Sequence, residues 1–304
     1  MSTRHLNRRR DHRLVALVAL AFLAGTTAGC GEQSPPPAPV SAGLKVDQAL
    51  RGQLPEAIRA KGELRIGTDA SYAPMASFAP DGRTIIGMEP DLAAQVGLAL
   101  GVRVTFVHAD FGTLLDQVAS GKLDLAMSAI TDTAERGRQV DFVNYFSAGT
   151  AIVVQRGNPA GITGIRDLCG HVVAVEADTT QVDLLARTQR NCGGRRISVK
   201  EFATNSDALL ELRTGRAAAV LNDLPPAAFL TSAAKTKSQY QLASTTQYEP
   251  APYGIVVAKS QPGLRDAVQG ALQTAYKAGV YADIMKRWNV TSGAVDQITI
   301  NSGR

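Results

Sequence analysis

The chain has 304 residues, enough for one large domain or two ordinary ones, and its 45% hydrophobic and 19% charged content is that of an ordinary soluble protein. The formal charge of +5 is misleading. Arg4, Arg8, Arg9, Arg10, Arg13 and Asp11 all precede Cys30, and setting them aside leaves 27 basic against 26 acidic groups, net +1, with no basic cluster to suggest nucleic acid as a partner.

The first thirty residues read as an export signal. A basic stretch (1–13) precedes the apolar run Leu14 to Ala24, which is too short for a stable membrane span. It ends in Thr27-Ala28-Gly29-Cys30, small residues before a cysteine, which resembles a bacterial lipobox and makes Cys30 the expected lipidation site. The alternative is an ordinary signal peptide with an incidental cysteine. Residues 31–43 (GEQSPPPAPVSAG) are rich in proline, serine and glycine and read as a tether, with ordered structure expected from about Val46.

Beyond the tether, apolar runs and helix patterns alternate. A strand is expected at 63–67. Pro90 sits in the first turn of a helix reaching about Leu100, which Gly101 stops. Strand 102–107 and helix 111–119 follow, and this rhythm is that of an α/β sheet. The segment 124–136, DLAMSAITDTAER, combines a buried strand (Leu125 to Ala129), the hydroxyls of Ser128 and Thr131, and Asp132 and Glu135 at capping-box spacing. That spacing predicts a helix carrying Arg136 in its first turn. A strand end, free backbone N–H groups, a hydroxyl and a guanidinium suit a small carboxylate. The plan of SGKLDLAMSAIT (120–131) is echoed in TGRAAAVLNDLP (214–225), which places Asn222 and Asp223 at a second strand end.

A strand (172–175) and a helix (180–191) lie between Cys169 and Cys192, an even pair in an exported chain. A disulfide there would contribute roughly 3 kcal/mol in the loop-entropy model, and two free thiols are the alternative. Neither cysteine has partners at metal-ligand spacing, so no metal or cofactor is expected. Strand 253–258 leads into an amphipathic helix with Leu264, Val268, Leu272 and Ala275 on one face, then a second helix reaching Trp288. From Thr291 the chain shows no clear period, and 291–304 is expected to be a tail that wraps the surface or frays.

Seven segments in order resemble the extracytoplasmic solute-binding proteins that serve ABC importers of polar amino acids: GTDASYAPM, GMEPDLA, DFGTLL, the 124–136 segment, VVAVEADTT, VLNDLP and APYGIVV. The resemblance covers about 60–290. It implies an α/β, two-lobe binding-protein fold (type II), with the lobes joined by two hinge strands and the ligand cleft between them. Lobe 1 would comprise 45–147 and 254–290, lobe 2 would be 148–253, and the hinges would lie near Tyr145–Gly149 and Glu249–Tyr253.

The resemblance also implies roles for individual residues. Arg136, otherwise a solvated arginine, would pair with an amino acid's α-carboxylate, aided by Ser128, Ala129 (backbone only) and Thr131. Thr179 and Thr180 match a turn that closes on the same carboxylate, with Asp178 replacing the usual glycine. Asp223 would hold the α-ammonium, or act as a helix N-cap. Tyr72 and Phe111 match aromatic walls, or are simply core residues. Asp69 matches a side-chain-reading acid, and Glu176 falls where relatives vary with specificity. Two acids favour arginine or lysine over glutamate, with glutamine possible. The function implied is capture of a polar or basic amino acid by an outward-facing, membrane-anchored monomer that delivers it to permease subunits, without catalysis. A cyclic-acid dehydratase and a sensor ectodomain are the rivals. The mature chain's two histidines, His108 and His171, sit in no recognisable nucleophile motif.

Overall fold

In the computed structural model, residues 43–303 are described. The export signal, Cys30 and nearly all of the tether lie outside them. Asp47 caps the helix Gln48–Gln53, its carboxylate accepting from the N–H groups of Ala49 and Leu50. Among the described residues no helix is long and apolar enough to cross a membrane.

Two long strands carry the architecture. Val140–Gln155 and Tyr248–Ala258 run antiparallel, and their partners differ from one end to the other. Around Val140–Phe146 the sheet continues through Leu125–Ala126 to Glu63–Thr68 and Arg103–His108, the last three mutually parallel. Around Thr150–Val153 it continues through Ala219–Asp223 to Val172–Glu176 and Ser198–Phe202, again parallel. The inner parallel strands are covered on both faces, so Ala219–Asp223 is buried throughout and Val172–Glu176 nearly so, whereas the outer strands Arg103–His108 and Ser198–Phe202 are partly exposed.

Each half has its own apolar core. On one side, helices Met88–Leu100 and Pro262–Lys277 pack Leu92, Val96, Leu264, Val268 and Leu272 against Leu64 and Ile66. On the other, Leu184 and Leu185 of helix Thr180–Gln189 pack against Val173, Val175 and Leu221. The result is two α/β lobes bridged by two strands, the expected fold class, with a cleft at the carboxyl ends of the parallel strands.

Most expected elements form within a residue or two of their sequence bounds. Helix Met88–Leu100 ends at Gly101, which takes the left-handed conformation at φ 64°. The cysteines are joined as the disulfide Cys169–Cys192, Cα to Cα 5.4 Å.

Two expectations fail. The capping box at Asp132 and Glu135 does not open an α-helix; turns lead instead into a short 3-10 segment, Arg136–Arg138. The Asp132 carboxylate accepts from Asn144 Nδ2 (3.1 Å) and the Gly303 N–H (2.9 Å), partners far away in sequence, so it is not available as a cap. Thr133 takes that part, its hydroxyl accepting from the Arg136 N–H at 3.2 Å. The tail also behaves differently: Ala294–Ile300 forms a strand along Val140–Gln155, with a break in register that removes any simple alternation. Beyond it, Asn301 Oδ1 accepts from the Phe142 N–H (2.7 Å) and the Ser302 N–H donates to Asn144 (3.0 Å).

Candidate functional site

One cleft between the lobes is lined by Asp69, Tyr72, Phe111, Ser128, Ala129, Thr131, Arg136, Glu176, Thr179, Thr180, Gln181 and Asp223. All eleven candidate residues are therefore brought together, and Gln181 joins them unforeseen.

Lobe 1 supplies two strand ends and a turn. After Glu63–Thr68, Asp69 is buried; its N–H donates to Ser128 Oγ (2.9 Å), and its own Oδ1 accepts from the Ser71 N–H (2.8 Å). After Leu125–Ala126 the chain bends sharply at Ala129, whose φ of 49° is uncommon for a residue with a side chain. Glu89 supports that bend. Its Oε1 accepts from the Ala129 N–H (2.6 Å) and from the Tyr145 hydroxyl of the long strand. The backbone N–H expected to serve a ligand at Ala129 is thus committed to a carboxyl behind the cleft.

Glu89 is wholly buried, and burial pushes its carboxyl up to about 7 from 4.5. A raised value means that the folded state holds the proton more tightly than the unfolded one. The stability it contributes is therefore complete below pH 4.5 and lost as pH rises through 7. Glu89→Gln keeps an acceptor for both donors but cannot ionise. The variant should lack part of the wild-type decline in melting temperature between pH 5 and pH 8, and parallel declines in the two proteins would refute this assignment.

Arg136 projects from the 3-10 segment across the cleft. Nη1 donates to Thr131 O (3.0 Å) and Nη2 to Asp178 O (2.8 Å) of the other lobe. Its guanidinium carbon lies 5.4 Å from the centroid of Phe111, a cation–π arrangement. Burial lowers its proton affinity, opposed by Asp183 and Asp223. Asp178 stands in the left-handed region at φ 61°, so aspartate serves here in the conformation that glycine commonly supplies. Gly112 lies against the Asp178 carboxylate: a Cβ there would come within 2.1 Å of Oδ2.

Lobe 2 contributes Asp223 from the end of Ala219–Asp223. It occupies the N-cap position of helix Leu224–Ser232, but its side chain makes no capping bond. The carboxylate turns into the cleft instead, accepting from Gln181 Nε2 (2.7 Å) and the Tyr72 hydroxyl (3.3 Å), and that hydroxyl in turn accepts from the Asp223 N–H (2.8 Å). Burial pushes Asp223 up to about 6, against the pull of Tyr253, Tyr72 and Arg136. Thr179 occupies the N-cap position of helix Thr180–Gln189 without a side-chain capping bond, its hydroxyl donating instead to Glu176 O (2.7 Å). The first N–H groups of that helix have no partner within it, and Thr180 and Gln181 of that turn line the cleft. Gln181 was missed because a glutamine in a first helical turn carries no signal of its own; only its placement beside Asp223 marks it.

A larger cavity of about 730 Å³ adjoins the cleft on the hinge side, sharing Thr131, Thr180 and Asp223. Its one cation, Arg187, is paired with Glu249, and Asp132, Glu135 and Asp183 leave it acidic. The smaller cleft joins a guanidinium, buried acids and aromatic rings, which makes it the candidate site. Among the described residues no cluster of three or more His, Cys, Asp or Glu side chains is arranged to hold a metal ion.

Two α/β lobes on a pair of crossing strands, with facing charges in the cleft, define a two-lobe binding protein. The model of the bacterial extracellular solute-binding proteins, family 3, matches residues 64–291, and the chain belongs to that family. It is 28% identical over 258 residues to the arginine-binding protein ArgT of Corynebacterium glutamicum, covering 83% of this chain and 82% of that one. Among solved structures, an ancestral arginine-binding protein, described with arginine bound and also with glutamine bound, is 33% identical with a TM-score of 0.69, covering 75% of this chain and 98% of that one. The ancestral amino acid-binding protein AncCDT-1 is 30% identical, TM-score 0.69, covering 77% and 98%. It is described as a precursor of cyclohexadienyl dehydratase, so this fold has also led to an enzyme.

Proposed function

We propose that this chain is the amino-acid-capturing subunit of an ABC importer, with a ligand whose side chain carries a positive charge. The observation that carries this reading is the pairing of opposite charges from opposite lobes: Arg136 from lobe 1 and Asp223 from lobe 2 line one cleft. A zwitterion buried there needs both. Its α-carboxylate meets Arg136, Thr131 and the N-terminus of helix Thr180–Gln189. Its α-ammonium meets Asp223, which Gln181 orients. Tyr72 and Phe111 flank the side chain, which ends at Asp69 and Glu176. The names of the relatives support an arginine-like ligand. Two carboxyls at the distal end disfavour glutamate. Micromolar binding, about 8 kcal/mol, is within reach of a few charge-assisted bonds plus burial.

In this reading lobe 1 is 45–147 with 254–290, lobe 2 is 148–253, and the closed arrangement of the two is what the permease recognises. The protein acts as an exported monomer, tethered outside the membrane through lipidated Cys30, and performs no chemistry on its ligand. A thermal-shift screen of the mature protein against the twenty amino acids tests the assignment. Arginine or lysine should raise the melting temperature, with dissociation constants in the micromolar range or below. A screen without hits, or turnover of prephenate or arogenate by the purified protein, would overturn it.

A further inference from the structure

The cleft holds two acids, Asp69 and Glu176, and among the described residues the cation that lines it with them is Arg136. Asp69 comes from lobe 1 and Glu176 from lobe 2; they are 2% and 9% exposed, they line the same cleft, and the Asp69 carboxyl raises the proton affinity of Glu176. Asp69 Oδ2 and Glu176 Oε1 are both buried, and no N–H or O–H group among the described residues donates to either. The other surrounding groups are already engaged or carry no positive charge. The Asn205 backbone N–H offsets only part of the rise at the Glu176 carboxyl, and the Ser71 N–H donates to Asp69 Oδ1. His108 Nδ1 accepts from the Ala70 N–H. The Arg136 guanidinium donates to Thr131 O and Asp178 O, and the acids that act on it are Asp183, Asp223, Glu135 and Asp178 rather than this pair. Asp223 is a third acid on the same side of the balance. Tyr72 and Tyr253 stay neutral, because burial raises both hydroxyls well above their ordinary range.

Two carboxylates cannot hydrogen-bond each other without a proton, and two buried like charges in contact repel strongly. Something positive must therefore sit between them whenever the cleft is shut. We propose that the Asp69–Glu176 pair accepts either one proton or one cationic side chain, so that a closed complex with a cationic amino acid holds one proton fewer than a closed complex with a neutral one. The proton is exchanged with solvent, and no bond other than O–H is made or broken. Glu176 is the natural carrier, since burial and Asp69 push its carboxyl up to about 9. The consequence is a preference tuned by acidity: neutral amides gain on cationic side chains as pH falls, and lose ground as it rises. Asp223 contributes equally to both classes of ligand, because both present the same α-ammonium, and it cancels from the comparison. The inference rests on the amino-acid reading of the cleft.

The experiment compares arginine with citrulline, its uncharged isostere, by calorimetry on the mature protein from pH 6 to pH 8. The ratio of their association constants should rise by threefold to tenfold per pH unit. Repeating the titrations at one pH in buffers of different ionisation enthalpy should show the two complexes differing by close to one proton. Glu176→Gln should reduce the pH dependence of the ratio to less than twofold per unit, whatever it does to absolute affinity. A ratio constant within twofold across the range, with arginine binding intact, overturns the proton exchange and leaves the amino-acid reading standing. Failure of arginine and citrulline to bind at any pH overturns both.

Discussion

Arg136→Ala will weaken arginine binding by at least about 100-fold while leaving the unliganded protein folded. The guanidinium offers a fork of N–H donors to a carboxylate, and charge-assisted bonds of this kind are roughly twice as strong as neutral ones. Removing it also strands the ligand's carboxylate in a buried site, and breaking a buried pair costs about 3–5 kcal/mol. Thr131 and the helix N-terminus remain and recover part of that, so a loss of two to three decades is expected rather than more. Lysine in its place should give an intermediate loss, because a point charge cannot reproduce the fork. Arg136 also ties Thr131 O to Asp178 O across the cleft, so the variant should open more readily when empty. Isothermal titration together with thermal unfolding separates the two effects. A dissociation constant within threefold of wild type would remove Arg136 from the site.

Asp223→Asn should cost a comparable factor in affinity, and its effect on the empty protein has the opposite sign. The ligand's ammonium loses its only charged partner in lobe 2, and Gln181 is left facing an amide. In the unliganded fold, however, burial raises the Asp223 carboxyl from 3.8 to about 6. A raised value gives stability that is whole below pH 3.8 and lost as pH climbs through about 6, so at neutral pH the ionised group destabilises the closed fold. Asparagine removes that liability, worth on the order of 3 kcal/mol at most. The variant should melt higher than wild type at pH 7.5, and the difference should shrink toward pH 4. Equal affinity, or a lower melting temperature at pH 7.5, would contradict the placement of this carboxylate.

Local patterns carried much of this protein. Apolar runs bounded by glycine mark the parallel strands, because strands covered on both faces need no polar alternation. Gly101 marks a helix end because a left-handed residue there is cheapest without a Cβ. The charged and aromatic residues of the cleft stood out because their segments follow in a recognisable order, and the strand ends of an α/β sheet converge on one crevice.

Other features depended on partners that no window of sequence contains. Asp132 satisfies every local rule for a helix cap, yet Asn144 and Gly303 reach it first, and without its cap the helix does not form. The chain after Thr291 lacks a strand's period because its register along Val140–Gln155 is broken, so pairing decided what pattern did not. Ala129 was open to a ligand on paper; burial of Glu89 beneath it diverted its N–H inward. Periodicity along the chain established the α/β class, and the resemblance carried by the ordered motifs implied the two lobes and the membership of the cleft. Only the tertiary structure decided which polar atoms are already satisfied and which still need a partner. Hydrogen bonding and desolvation depend on distances between residues far apart in sequence, and the open valence between Asp69 and Glu176 exists only because two lobes bring those acids together.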